Sequence, residues 1–495
     1  MNHPLLYEIN TRSWLRELSR TARASVTLAD VPESEFTGWQ RRGFTHIWLM
    51  GVWTSGERTR AEAFKHADLL NAYNLLLPGW SDEDIAGSPY AIGDYHVPPA
   101  LGGDDGLEKF RKRLHAHGMK LILDFVPNHL GFDHPWTVER PELFVQSPVE
   151  ITGTFRVESH AGVRWLAHGK DPHFAPWCDT VQVDYRRVGT RVQMLELLQS
   201  VAARCDGVRC DMAMLLLNEV FAKTWAHLPV QDESVATLTV EFWADAIPAV
   251  RRAQPGFIFL AEVYWSLESR LQSLGFDYTY DKHLFDLLVS RRTAEVQTYL
   301  LASPPHYVQA SAHFLENHDE DRIAPRLSIE EHRAAALLIL GLPGMRFLHE
   351  GQLTGAHHHI PVQMGRAPVQ PVIPEVAALY EKLLTVLPKT AVGHDHGHLL
   401  RPTPAWDGNP TAGNFIIVQW QAQPDEIDLV VINLAPHRSQ CFVSLAGKNI
   451  SAHDWQMRDL LGSENYERFG DDLAKPGLYL DVSAYAAQIF RFNPK

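Results

Sequence analysis

The sequence predicts a (β/α)8 TIM barrel with long loops after its second and third strands, followed by an antiparallel C-terminal β domain. Three observations carry this. Strand-like runs and helix-like segments alternate over most of the chain, and eight such units imply parallel strands closed into a barrel. Four short polar segments each end or follow an apolar run: DFVPNH at 124–129, GVRCDMA at 207–213, AEVYW at 261–265 and ENHDE at 316–320. Beyond about residue 390 the alternation stops and strand-like runs follow one another.

The elements read in order as follows. Residues 5–9 (LLYEI) form a first strand, and 30–42 a helix with Asp30 as its cap. HIWLMGVW at 46–53 is a continuous apolar run of buried-strand type. A helix at 106–117 precedes a strand at 120–126. Helix 190–203 leads into strand 207–212, and helix 242–253 into strand 257–263. A short strand at 276–280 precedes a helix at 283–301. A strand at 313–316, a helix at 329–340, a strand at 345–348 and a helix at 374–387 complete the set. This assigns 1–390 to the barrel. Strand-like runs at 414–421 and 427–434, joined by a turn with Pro424 and Asp425, then 440–445 and 486–492, predict a sandwich-like β domain over 391–495.

Two loops are long, 54–100 and 131–187, and the second is rich in Pro, His, Trp and Asp. Loops of this length in a compact domain are usually functional, and in a barrel they rise from the C-terminal face where sites sit.

The chain of 495 residues is 45% hydrophobic and 21% charged, with a formal net charge of -14, an ordinary globular composition that argues against a nucleic acid partner. Its four cysteines, Cys178, Cys205, Cys210 and Cys441, have no close metal-ligand spacing and read as reduced thiols. No basic-then-apolar leader opens the sequence and no apolar stretch approaches a membrane span, so a cytoplasmic location is expected. Oligomeric state is left open.

The polar segments define the chemistry. Arg209 and Asp211 are two apart on a strand and share a face, and a guanidinium there favours an ionised carboxylate. A structural ion pair or an anionic nucleophile both fit. Glu262 ends the apolar run FIFLAEV; such surroundings and a nearby anion raise a carboxyl toward general-acid duty. Asp319 and His318 follow the seventh strand, where Asp319 can stabilise positive charge or simply shape a turn. Asp124 and His129 flank Pro127; Asp124 reads equally as a buried, hydrogen-bonded group and as a site residue. The triplet His357, His358 and His359 reads as a loop near the site mouth, since adjacent residues converge poorly on one ion. The loop tryptophans, including Trp136, Trp165 and Trp177, suit either sugar stacking or loop packing.

The order and spacing of the four segments resemble the α-amylase family of glycoside hydrolases. The resemblance implies a retaining enzyme acting on α-1,4-linked glucans or malto-oligosaccharides. Its roles fall on Asp211 as nucleophile, Glu262 as general acid/base and Asp319 as transition-state stabiliser. Arg209, His129, His318, Asp124 and Tyr90 of SPYAIGDY become substrate-binding residues. A 4-α-glucanotransferase or maltosyl-type transferase would use the same residues, and a catalytically silent glycan-binding barrel is a further alternative. The sequence departs from the family in two places. Ala91 follows Tyr90 where exo-acting α-glucosidases carry Asp, and Gln182 in VQVDY stands where calcium-bound amylases carry an Asp ligand. No cofactor is therefore expected, and calcium is disfavoured.

Overall fold

The computed structural model describes residues 3–159, 162–228, 230, 240–394, 396–423, 426–447 and 450–495. Eight strands close into a parallel barrel: β1 (Leu5–Asn10), β2 (His46–Met50), β3 (Lys120–Phe125), β4 (Gly207–Cys210), β5 (Ile258–Ala261), β6 (Tyr278–Tyr280), β7 (Ser311–His313) and β8 (Met345–His349). Each lies beside its sequence neighbour, and β8 closes on β1 with Glu8 opposite His349.

The strands are almost wholly buried and rich in apolar residues because both faces are covered. Alternation still sorts them: Leu6, Trp48, Met50, Ile122, Leu260, Tyr280 and Phe347 form one cluster inside the barrel. Ile47, Leu49, Leu121, Leu123, Val208 and Cys210 belong instead to the layer between strands and helices. That period of two puts Arg209 among the inward-facing positions of β4, with Asp211 two residues further on.

Several elements differ from expectation. A helix at Thr11–Ala22 follows β1 directly, capped by Asn10, whose side chain accepts from the Ser13 amide. The region read as a helix capped by Asp30 is a 3-10 turn, Leu28–Asp30, capped by Thr27, and a separate helix, Glu33–Arg41. Pro32 separates the two, and Asp30 serves as the reciprocal carboxylate of the Thr27 capping box. The helix expected at 283–301 is two, Lys282–Val289 and Thr293–Ala302, broken where Arg291 adopts φ 56. β7 ends at His313, so Glu316 to Asp319 lie wholly in the loop above it. The long loops carry structure of their own: helices Glu57–Glu62 and Ala67–Leu76 in the first, and a three-stranded sheet including Thr154–Ser159 and Gly162–Ala167 in the second.

The C-terminal region contains a six-stranded antiparallel sheet and a two-stranded one. Strands β9 (Phe415–Gln423) and β10 (Glu426–Asn433) pair side by side in the larger sheet. The expected turn at Pro424 and Asp425 lies outside the described residues. Phe415 and Ile417 belong to the domain's own core, shared with Cys441 and Leu480 of the smaller sheet. Ile416, Val418 and Trp420 belong to the barrel's core, and Trp420 Nε1 donates to the Gly341 carbonyl at 2.9 Å. Among the described residues, no helix is long and apolar enough to cross a membrane.

Candidate active site

The site is organised by one guanidinium. Arg209 is fully buried inside the barrel, with the rings of Trp48, Tyr90 and Tyr280 within 5.7 Å of its carbon. Its Nη1 donates to Asp211 Oδ1 at 2.8 Å, its Nη2 to Glu262 Oε2 at 2.7 Å, and its Nε to the Tyr280 hydroxyl at 3.2 Å. Strand pairing makes this possible, since Arg209 lies opposite Asp124 on one side and Leu260 on the other.

Glu262 is held from both ends. Oε2 also accepts from the Met212 amide at 2.8 Å, and Oε1 accepts from the Tyr264 hydroxyl at 2.8 Å. Met212 reaches this position with φ 41, left-handed backbone of the kind that persists where surroundings over-determine it. Burial pushes the Glu262 carboxyl up to about 7, Arg209 opposes this, and Asp211 and Asp319 add to it. Burial also raises Asp211, against Arg209, so the net direction is opposite to the one expected from the Arg–Asp pairing alone.

On the other side of Arg209, the His318 imidazole bridges two carboxylates. Its Nδ1 meets Glu8 Oε1, and its Nε2 lies 3.0 Å from Asp319 Oδ2 and 2.7 Å from the Tyr90 hydroxyl. Tyr90 stacks on this ring at 5.2 Å. Burial disfavours the imidazolium, but Asp319 and Glu8 outweigh it, and His318 is protonated well above the usual range. Asp319 sits deep in the site yet keeps 44% of its side-chain surface open to the cleft. Burial pushes it up, His318 pulls it down more strongly, and it falls to about 2.

Asp124 is buried beneath Arg209, with Oδ1 3.9 Å from Nη1 and Oδ2 accepting from the Gly51 amide at 3.2 Å. Gly51 has φ 75, and a Cβ there would lie 3.0 Å from Pro89, so the turn over Asp124 needs glycine. Burial raises Asp124 to about 7 against the pull of Arg209. His129, buried and pushed down to about 3, packs against Trp177 at 5.0 Å. Arg209, Asp211, Glu262, His318, Asp319, Tyr90 and Asp124 thus meet in one cluster at the strand ends, and His129 lies beside it next to Tyr90.

Residues 40–148 match the family model for the alpha amylase catalytic domain. "Alpha-amylase 3" of Dictyoglomus thermophilum is 22% identical over 298 residues, 56% of this chain and 56% of that protein. An alpha-1,4-glucan:maltose-1-phosphate maltosyltransferase of Cereibacter sphaeroides is 26% identical over 242 residues, 46% of this chain and 34% of its own. Among solved structures, the maltogenic α-amylase AmyB of Thermotoga neapolitana superposes with TM-score 0.67 at 18% identity, covering 99% of both chains. The α-amylase of Lactobacillus plantarum gives 0.66 at 22% identity, over 99% of this chain and 98% of its own.

The chain is similar to the α-amylase family, in sequence over residues 40–148 and in fold over nearly its whole length. Its curated relatives are matched over about half of their length or less.

Where the resemblance to calcium-bound amylases places an Asp ligand, this chain carries Gln182. Gln182 Nε2 donates to the Asn128 carbonyl at 2.8 Å, to Asn128 Oδ1 at 3.0 Å and to the Val183 carbonyl at 3.1 Å. A buried amide donor thus sits among three oxygens. The group does not fit calcium, which takes about 6–8 oxygen ligands. In the histidine triplet the His357 and His358 backbone amides donate to Gln370 Oε1, and His359 Nε2 meets the His318 carbonyl at 2.7 Å. Beside His318 opens a cavity of about 790 Å³, lined by Asn10, Met50, Arg322, His349, Glu350 and His359.

Sequence reasoning missed Glu8, Tyr264, Tyr280 and Trp48. A signal existed for Glu8 and Tyr280, polar groups at or near the C-terminal ends of β1 and β6. Tyr264 sits two residues beyond Glu262 in a segment already quoted, but its bond to Oε1 depends on the loop geometry, with Trp265 at φ 63 and Ser266 at φ 60.

Proposed function

We propose that this protein is a retaining glycoside hydrolase acting on α-1,4-linked malto-oligosaccharides. The observation that carries the reading is the attachment of Asp211 and Glu262 to the two terminal nitrogens of one buried guanidinium. This favours a short carboxyl separation of about 5–5.5 Å, as in double displacement, over the wider gap that admits a water between inverting carboxylates. Asp211 attacks the anomeric carbon. Glu262, protonated because its site raises it, gives its proton to the leaving oxygen and then takes one from the incoming water. Asp319, anionic beside protonated His318, stabilises the positive charge that develops on the sugar ring. Tyr90 offers a ring face to the sugar, His129 and His318 serve its hydroxyls, and Arg209 with Asp124 beneath it supports binding by holding the carboxylates in place.

The decisive experiment follows maltoheptaose by NMR and product separation. Shorter products that emerge first as α-anomers support the reading. A β-anomer as initial product removes Asp211 as nucleophile, and no turnover leaves a glycan-binding barrel, which the intact carboxylate set argues against. A second reading, transfer of a maltosyl or glucanosyl unit to another sugar, draws support from the similarity to the maltosyltransferase. Products longer than the substrate would select it.

A further inference from the structure

Away from the carboxylates, three side chains of different chemistry meet between the two long loops. Glu62 ends the helix Glu57–Glu62, His66 precedes the helix Ala67–Leu76, and Cys178 lies just before the strand Thr180–Gln182. One ligand atom from each lies within 4.8 Å of the others. His66 Nε2 and Cys178 Sγ are only 3.2 Å apart. Glu62 and Cys178 are half-buried, while His66 is exposed and leaves the cluster open to solvent. One Glu62 oxygen carries Lys65 Nζ at 2.6 Å, an exposed partner, and the other is available.

Thiolate, imidazole and carboxylate are the three ligand types that zinc takes, at about 2.0–2.3 Å, in tetrahedral sets whose donors stand roughly 3.5 Å apart. The Cys–His pair is already near that spacing, and a carboxylate at the end of a short flexible side chain can close the rest. Oxygen-seeking ions such as calcium or magnesium are poorly served by a thiol and an imidazole. We infer that Glu62, His66 and Cys178 form a binding site for a thiophilic divalent cation of the zinc class, with water as fourth ligand.

The site ties the loop after β2 to the loop after β3. Its neighbour Trp177 packs on His129, so an ion here fixes one wall of the proposed sugar site without touching the reacting groups. It is also separate from the Gln182 position, where an amide donor sits among three oxygens.

The test uses the whole protein, stripped with chelator and titrated with zinc by calorimetry and with cobalt(II) by visible spectroscopy. The expected result is one equivalent bound, with a thiolate-to-cobalt charge-transfer band. Cys205, Cys210 and Cys441 are buried, so the band reports Cys178. Cys178→Ser should abolish the band, and both Cys178→Ser and His66→Ala should weaken zinc binding by at least about 10-fold. Zinc should raise the thermal midpoint of the wild type and of His358→Ala, but not of the two site variants. Metal-free midpoints of those variants should match the wild type, which separates lost ligation from lost folding. Cobalt bound without the charge-transfer band, zinc binding unchanged in Cys178→Ser, or binding lost in His358→Ala instead would overturn the assignment, as would no binding at all.

Discussion

Glu262→Gln is the most informative single substitution. The glutamine should fit the space in one orientation. Arg209 Nη2 and the Met212 amide can only donate, so the amide oxygen must replace Oε2 between them. The amide nitrogen then faces the Tyr264 hydroxyl, which can turn to accept. Arg209 and Met212 keep their acceptor, Arg209 keeps Asp211, and the half-buried Tyr264 hydroxyl exchanges its acceptor for a donor. The fold should therefore hold while proton donation is lost. General acid catalysis supplies about 10²–10⁴-fold, or about 3–5 kcal/mol of barrier. Initial rates should be compared on maltoheptaose and on an α-maltosyl fluoride, whose leaving group needs no proton. The first substrate should lose the full factor and the second much less in the glycosylation step. Because the Glu262 carboxyl sits near 7, wild-type turnover of maltoheptaose should fall as pH rises through that value and the acid ionises. That alkaline limb should vanish in the variant. Equal losses on both substrates, or an unchanged limb, would refute the assignment of Glu262 as proton donor.

Other outcomes follow from the same geometry. Calcium-selective chelation should leave thermal midpoint and turnover unchanged, whereas Gln182→Ala, which takes the donor from Asn128 Oδ1 and the Val183 carbonyl while the Asn128 carbonyl keeps the Val183 amide, should cost about 1–3 kcal/mol in denaturant unfolding. Ala91 is fully buried and offers no carboxylate for a terminal sugar hydroxyl, so maltohexaose should be consumed faster than maltose and yield several product lengths at early times; stepwise glucose release with equal use of maltose would point to an α-glucosidase. Trp420→Ala should cost about 3–5 kcal/mol, read by calorimetry, because it empties a fully buried indole position between barrel and C-terminal sheet.

Much of the site was legible because barrel strands announce it. An apolar run that ends in a charged or imidazole-bearing segment marks the C-terminal face, and Asp124, Arg209, Asp211, Glu262 and His318 all sit at or just beyond such ends. Partners set by barrel closure were not legible. Glu8 and His318 meet across 310 positions of sequence, and nothing local couples them. The direction of the Asp211 shift was misjudged because spacing reports the neighbouring Arg209 but not the depth of burial, which here outweighs it. The helix Thr11–Ala22 was legible but passed over: Thr11, Trp14, Leu15 and Leu18 recur at i, i+3, i+4 and i+7 and face the core, and the strand that runs straight into it leaves no loop to mark its start. Asp30 looked like a helix cap because Asp is a favoured one, yet Thr27 had already taken that role one turn earlier.

The helix Ile329–Gly341 has a consequence for how this protein can be cut and rebuilt. Its residues Ala334 to Gly341 are all buried, so the helix has almost no solvent side. One flank lies in the barrel's outer layer and the other meets Val430 and Trp420 of the C-terminal sheet. Helices around a barrel ordinarily keep a wet face, which lets the barrel stand alone. Here a truncation near residue 390 would bare a continuous strip of alanine, leucine and isoleucine and invite aggregation. The C-terminal sheet is in that sense the missing outer coat of one barrel helix rather than an exchangeable appendage, and grafting this barrel onto another module would require repainting that helix first.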